Sequence, residues 1–392
     1  MIKNSISRFI KTLLLLFAVA KAISGFAADT DIDIDRQGQG SRLIPIALNG
    51  FSGEVDRVLR FDLEVAGFKW VTGDDAQYVV SGRNDASVTG QLQDRINKSV
   101  LLSKAYTGGT LRVQAHAFAD DIVLALTGRK GIAQTKIAFR IETSGVSEIH
   151  MADYDGGSLK QLTSDRSIVA APCWVPERRL LLYTSYMKGN PDIYSHDLGS
   201  GDRRIVARYS GLNTSAAVSP DGRKVAMILS KNGSPDIYVA DIDGGNLKQL
   251  TFTKEDESSP CWSPDGQTLC CASRQRGRAE LYLVPAAGGA MKRLNTIGVG
   301  TATEPDWSPD GKTILFTTTT GGFTICAVSA RGGNAEILVA GEDPSWAPNS
   351  RTAIFTRRTS GRRVLSLLDV PTKQVKTITQ ISGSCSQASW AR

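Results

Sequence analysis

From about residue 136 onward the chain repeats one phrase, and that repeat constrains the fold more than any other feature. The phrase is clearest as Ser234-Pro-Asp-Ile-Tyr-Val-Ala-Asp241-Ile-Asp-Gly-Gly-Asn-Leu-Lys-Gln-Leu-Thr251, followed by Pro260-Cys-Trp-Ser-Pro-Asp-Gly266. Residues 148–163 nearly copy it, and Asp192-Ile-Tyr194 and Glu280-Leu-Tyr282 repeat its opening. Glu148, Asp192, Asp236 and Glu280 stand 44 positions apart, Thr324 continues the series, and a shorter last unit carries Val364. A fixed period of this size in a chain rich in β-formers marks a propeller or an array.

The turns explain why each unit is made of strands. Ser219-Pro-Asp-Gly222, Ser263-Pro-Asp-Gly266 and Ser308-Pro-Asp-Gly311 place proline where its fixed φ suits the second turn position and glycine at the fourth. Each turn position follows Trp or Val (Trp174, Val218, Trp262, Trp307, Trp346, Trp390), and apolar runs such as Thr313-Ile-Leu-Phe316 come after the turns. Two more strands, separated by an Asp-Gly-Gly turn, complete four short strands per unit, which is one propeller blade. The sixth anchor, Trp390, is followed only by Ala391 and Arg392. Its missing strands match Lys136-Ile-Ala-Phe139 and residues 148–163. The expected fold is therefore mainly β, a six-bladed propeller whose terminal strand closes the ring and leaves no open edge.

Residues 1–28 read as a secretory signal peptide: Lys3, Arg8 and Lys11 precede Leu13-Leu-Leu-Leu-Phe-Ala-Val-Ala20, and small residues follow. Cleavage fits after Ala22 or after Ala27/Ala28, the latter preferred. The apolar run is too short for a membrane anchor, the rival reading. Its removal takes away Lys3, Arg8, Lys11 and Lys21 and no acid, so the formal charge falls from +7 to +3. The basic balance thus gives no case for nucleic acid. Export permits disulfides, yet the six cysteines make a poor framework. Cys173 and Cys261 fall in non-neighbouring blades, and Cys270 and Cys271 point to opposite faces of one strand. Buried free thiols are expected. With no Cys-x-x-Cys pair and only His116, His150 and His196, no metal site or cofactor is expected.

Residues 29–41 form an acidic and then Gly/Gln-rich stretch whose alternating Asp31, Ile32, Asp33, Ile34 and Asp35 suit a mobile tail able to add as a strand to a partner sheet. Residues 42–131 lack the repeat and read as a small α/β domain, with residues 132–392 as the propeller. Strands are expected at Leu43-Ile-Pro-Ile-Ala-Leu48, Tyr78-Val-Val80, Ala86-Ser-Val-Thr89 and Ser99-Val-Leu-Leu102. One helix buries Val55, Val58, Leu59 and Leu63. A second buries Leu111, Ala115, Phe118, Ile122 and Leu126 and stops at Gly128. His116 on that helix reads as structural, and Arg129-Lys130 as a solvated junction.

The junction Ala115-His-Ala-Phe-Ala-Asp-Asp-Ile122, Leu126-Thr-Gly-Arg-Lys-Gly131 and Thr135-Lys-Ile-Ala-Phe139 resembles the TolB family of periplasmic propeller proteins of the Tol-Pal system. Ile44-Pro-Ile-Ala-Leu48 and Asp62-Leu-Glu-Val-Ala-Gly-Phe68 are similar to the start of that family's amino-terminal domain. The resemblance implies a non-catalytic, periplasmic binding protein, monomeric before complex formation and peripheral to membranes. It would link TolA-like inner-membrane partners to a Pal-like peptidoglycan-associated lipoprotein, supporting outer-membrane integrity and cell division. It places Pal contacts on loops at one propeller mouth, here Leu212, Asn213, Ser215, Ser258, Ser259, Thr303, Glu304 and Asp343. It assigns the acidic tail, Asp31 to Asp35, to the TolA-type partner.

No chemistry competes with that reading. There is no Gly-x-Ser-x-Gly elbow, and Asp241-Ile-Asp243-Gly and Asp153-Tyr-Asp155-Gly lack the later ligands of a calcium loop. The 44-spaced acids occupy equivalent places around a ring, which suits structural hydrogen bonding. The alternative is a ligand-binding accessory propeller related to those of peptidases.

Overall fold

The computed structural model describes residues 43–391. The expected leader and the acidic tail, with Asp31, Ile32, Asp33, Ile34 and Asp35, lie outside the described residues. The described chain opens with β1 (Ile44–Asn49), helix α1 (Gly53–Val65), β2 (Phe68–Trp70), β3 (Tyr78–Asn84), β4 (Val88–Asp94), β5 (Ser99–Tyr106) and helix α2 (Leu111–Thr127). The strands lie in the order β2-β1-β3-β4-β5, with β1 parallel to both neighbours and α1 supplying the crossover that a parallel pair needs.

Val55, Val58, Leu59 and Leu63 are buried on α1, as their spacing predicts. Helix α2 starts at Thr110, whose hydroxyl accepts the Val113 amide, and stops at Gly128 in the left-handed region. Two details differ from expectation. The fourth strand begins at Val88 and runs to Asp94, because residues 85–87 form the bend before it. The three-residue β2 is too short to show any period.

Six four-stranded antiparallel sheets follow. Their innermost strands are Val169–Trp174, Asn213–Val218, Glu257–Trp262, Thr303–Trp307, Glu342–Trp346 and Ser384–Trp390. The last of these pairs with β6 (Lys136–Thr143), which leads to β7 (Val146–Asp153) and β8 (Lys160–Gln161). The expected closure is present: both ends of the repeat region share one blade. At the Ser-Pro-Asp-Gly turns the glycine amide donates to the serine carbonyl at 2.8–2.9 Å, and Gly222, Gly266 and Gly311 hold φ of 68°, 69° and 76°. Three of the 44-spaced acids, Glu148, Asp192 and Asp236, tie down the loop that enters the next blade, whereas Glu280 pairs with Arg276, Arg278 and Arg293. Asp236 accepts from the Thr251 hydroxyl at 2.8 Å, and Glu148 from the amides of Asp165 and Arg166.

Apolar clusters fill the seams between blades. Cys270 faces the seam with Ile314 and Phe316, whereas Cys271 faces the one with Ile228 and Ile237, so the two thiols do lie on opposite faces. All six cysteines are free, and burial pushes the Cys270 and Cys271 thiols well up. A thiol reagent should therefore leave these two unmodified in native protein and label six in denaturant. Rapid native labelling of either would contradict this packing.

The core of the α/β domain is continuous with the seam between the closing blade and its neighbour: Leu63 and Phe118 belong to the same cluster as Trp390, Ile137 and Leu367. Buried charges cross the same boundary. Arg112 of α2 bonds both carboxylate oxygens of Asp155 and, at 3.4 Å, Asp153. The Tyr154 hydroxyl donates to Asp62 of α1 at 2.7 Å, and His116 Nδ1 meets the other Asp62 oxygen at 2.7 Å. His116, expected to be structural, is one member of this interdomain set.

Candidate partner-binding mouth of the propeller channel

The innermost strand of every blade carries one irregularity at the same place. Ala171, Ser215, Ser259, Glu304, Asp343 and Gln387 all have φ between 50° and 55°, a conformation uncommon for residues other than glycine. Each lies where the pairing of the innermost strand with the next slips register, as in a β-bulge. All six line the central channel, which encloses about 590 Å³.

Side-chain length then divides the ring. The Asp343 amide donates to Glu304 Oε2 at 3.0 Å, the Gln387 amide to Asp343 Oδ2 at 3.3 Å, and the Ala171 amide to Gln387 Oε1 at 3.1 Å. Each long polar side chain thus braces the strained backbone of the next blade. Ala171, Ser215 and Ser259 are too short to do this, so half of the channel wall is polar and braced and half is open. Burial, with Glu304 and Glu342 close by, raises the Asp343 carboxyl to about 7. Because the folded value lies above the ordinary one, Asp343 contributes stability that is complete below pH about 4 and lost as pH rises to about 7. Asp343→Asn should flatten the fall in denaturation midpoint over that range. An identical pH profile in the variant would contradict this placement.

The structure sorts the residues expected at the mouth. Ser215, Ser259, Glu304 and Asp343 are ring members; Ala171 and Gln387 complete the ring and were missed. One signal would have found them, since every member stands three positions before its Trp or Val anchor. Ser258 is exposed, Leu212 is half-buried, and Thr303 donates its hydroxyl to the Thr317 carbonyl at 3.1 Å. Asn213 requires correction as a contact residue. It is fully buried, and its amide is consumed by the carbonyls of Tyr209, Gly211 and Pro191 and by the Tyr209 amide. It shapes the loop that carries Leu212.

The cavity extends from the ring to the first–second turns, where Pro176, Pro220, Pro264 and Pro309 line it. In an antiparallel blade the first–second and third–fourth turns share one end. The α/β domain meets that end: Asp155 lies in a third–fourth turn, and Arg351, in a first–second turn, sits beside Gly67. The loops that enter the innermost strands, including residues 209–213 and 252–257, lie at the opposite end. Phe252 there is 77% exposed.

A family model described as the TolB beta propeller domain matches residues 123–392. The chain belongs to the TolB propeller family. The family's likeness extends beyond the ring. TolB from Acinetobacter baumannii superposes with a TM-score of 0.82 at 25% identity, covering 89% of this chain and 97% of that one. The Tol-Pal system protein TolB of Dechloromonas aromatica (strain RCB) is 31% identical over 245 residues, 54% of this chain and 57% of that protein. The TolB protein of Polaromonas naphthalenivorans (strain CJ2) is 30% identical over 231 residues, 50% and 53% of the two chains. The chain thus spans just over half the length of these curated relatives in the matched region. No helix among the described residues is long and apolar enough to cross a membrane.

Proposed function

We propose that this protein is a non-catalytic, periplasmic binding component of a Tol-Pal envelope system. In this reading it links TolA-like inner-membrane proteins to a Pal-like peptidoglycan-associated lipoprotein, in support of outer-membrane integrity and cell division. The observation that carries the reading is the channel mouth. A ring of six bulged residues, half of it with short side chains, lines the channel, and the loops that lead into the ring-bearing strands lie at the end opposite the α/β domain, in a chain of the TolB family. Small residues on one side of the ring leave a concavity that a partner's anchoring side chain can fill. Ser215 and Ser259 belong to its open side and Glu304 and Asp343 to its polar side, and Leu212 and Ser258 precede the ring residues of their blades on the approach from the entering loops. The acidic tail, Asp31 to Asp35, is assigned to the TolA-type partner. A pulldown from the cell envelope with tagged protein should recover a Pal-like lipoprotein. Folded protein that retains none at micromolar concentration would reject the assignment.

A further inference from the structure

The buried charges between the α/β domain and the closing blade include one polar atom with no partner. His116 is 3% exposed; its Nδ1 is committed to Asp62 Oδ2 at 2.7 Å, and its Nε2 has no hydrogen bond. That nitrogen faces Asp155 Oδ2 at 4.0 Å, across the boundary between helix α2 and the turn after β7. Asp155 is 1% exposed and is already clasped by Arg112. A ring with Nδ1–H given to Asp62 and a bare Nε2 points a lone pair at a carboxylate. The imidazolium points an N–H at it instead.

We infer that His116 is a proton-operated latch between the two domains, closed onto Asp155 when its Nε2 carries a proton and open when it does not. A metal ion fits the same three residues poorly. Asp62 and Asp155 address different ring nitrogens, and Arg112 and Tyr154 already occupy their remaining oxygens.

The charges around the ring set the sign. Asp62 approaches from α1, Asp155 with Tyr154 from the closing blade, and Arg112 and Asp120 from α2 itself. Asp153 and Glu54 sit on the far side of Arg112. Burial disfavours the imidazolium, but the hydrogen bond and charge of Asp62, joined by Asp155, outweigh it and raise the His116 pKa. A raised folded value means that the latch contributes stability fully below the ordinary histidine pKa of about 6.5 and loses it as pH rises through the folded value. Asp62, raised chiefly by burial, works in the same direction.

The chain contains only three histidines, so each can be followed separately by nuclear magnetic resonance. Burial lowers His150 and His196. The imidazole signal that disappears in His116→Gln should therefore titrate above the ordinary value while the other two titrate below it, and Asp155→Asn should move the His116 midpoint down. Hydrogen exchange, corrected for intrinsic base catalysis, should quicken at residues 112–120 and 153–157 as pH passes that midpoint. A His116 midpoint at or below the ordinary value, or exchange indifferent to it, would overturn the latch. Should either variant fail to fold, His150→Gln and His196→Gln identify the remaining signal by elimination, and its midpoint in otherwise unaltered protein decides.

Discussion

Trp390→Ala lowers the thermal midpoint by roughly 6–10 °C. The Trp390 side chain is 2% exposed, lies 6.0 Å from the Tyr154 ring and donates Nε1–H to Thr135 Oγ1 at 2.7 Å. It therefore packs on the closing blade, the interblade seam and the α/β domain together. Truncating a buried Trp costs about 3–5 kcal/mol, and a large chain loses roughly 2 °C per kcal/mol. Deleting Ser384–Trp390 goes further, because β6 becomes an open edge with Ile137 and Phe139 uncovered. That truncated protein should melt lower still and associate on heating. A calorimetric scan indistinguishable from the parent would mean that the strand does not close the ring.

Arg112→Ala is expected to cost about 3–5 kcal/mol, because it leaves Asp155 buried without its countercharge. Asp155 accepts both contacts from one guanidinium nitrogen, and Asp153 and Glu54 meet the rest of the same group. Lys in its place offers one compact charge and no fork, so Arg112→Lys should recover only part of the loss. A second substitution perturbs the same contact without removing charge. A Cβ on Gly157 would stand 2.0 Å from Arg112 Nη2, so Gly157→Ala must displace the guanidinium. Equilibrium unfolding in urea reads both. Midpoints equal to the parent's would show that the charges contribute little to holding the domains together.

The architecture was legible because it repeats. A 44-residue period, turns with proline and glycine at fixed places and an anchor stranded two residues before the end give both the blade count and the closure. The helices of the α/β domain were legible for the same reason at a shorter period. The channel ring was only partly so. Its members Ala171, Ser215, Ser259, Glu304, Asp343 and Gln387 share no residue type, because the bulge dictates backbone shape and leaves the side chain free. Their common offset from the anchor is the sole trace in sequence. The interdomain charges left no local trace. Asp62 and His116 are 54 residues apart and Arg112 and Asp155 are 43 apart, with no period relating them, and only the docked helices bring them together. Asn213 misled for the opposite reason: a polar residue in an apparent surface loop had turned inward to satisfy that loop's own backbone.

The channel mouth as a protein-docking site is tested most directly by calorimetric titration of the soluble domain of the Pal-like lipoprotein into this protein. The double variant Ser215→Arg, Ser259→Arg fills the open half of the ring, and Asn49→Ala on β1 of the α/β domain serves as a control. The double variant should bind at least about tenfold more weakly, a loss of about 1.4 kcal/mol, while the control binds as the parent does. Equal affinity for parent and double variant would contradict docking at the mouth.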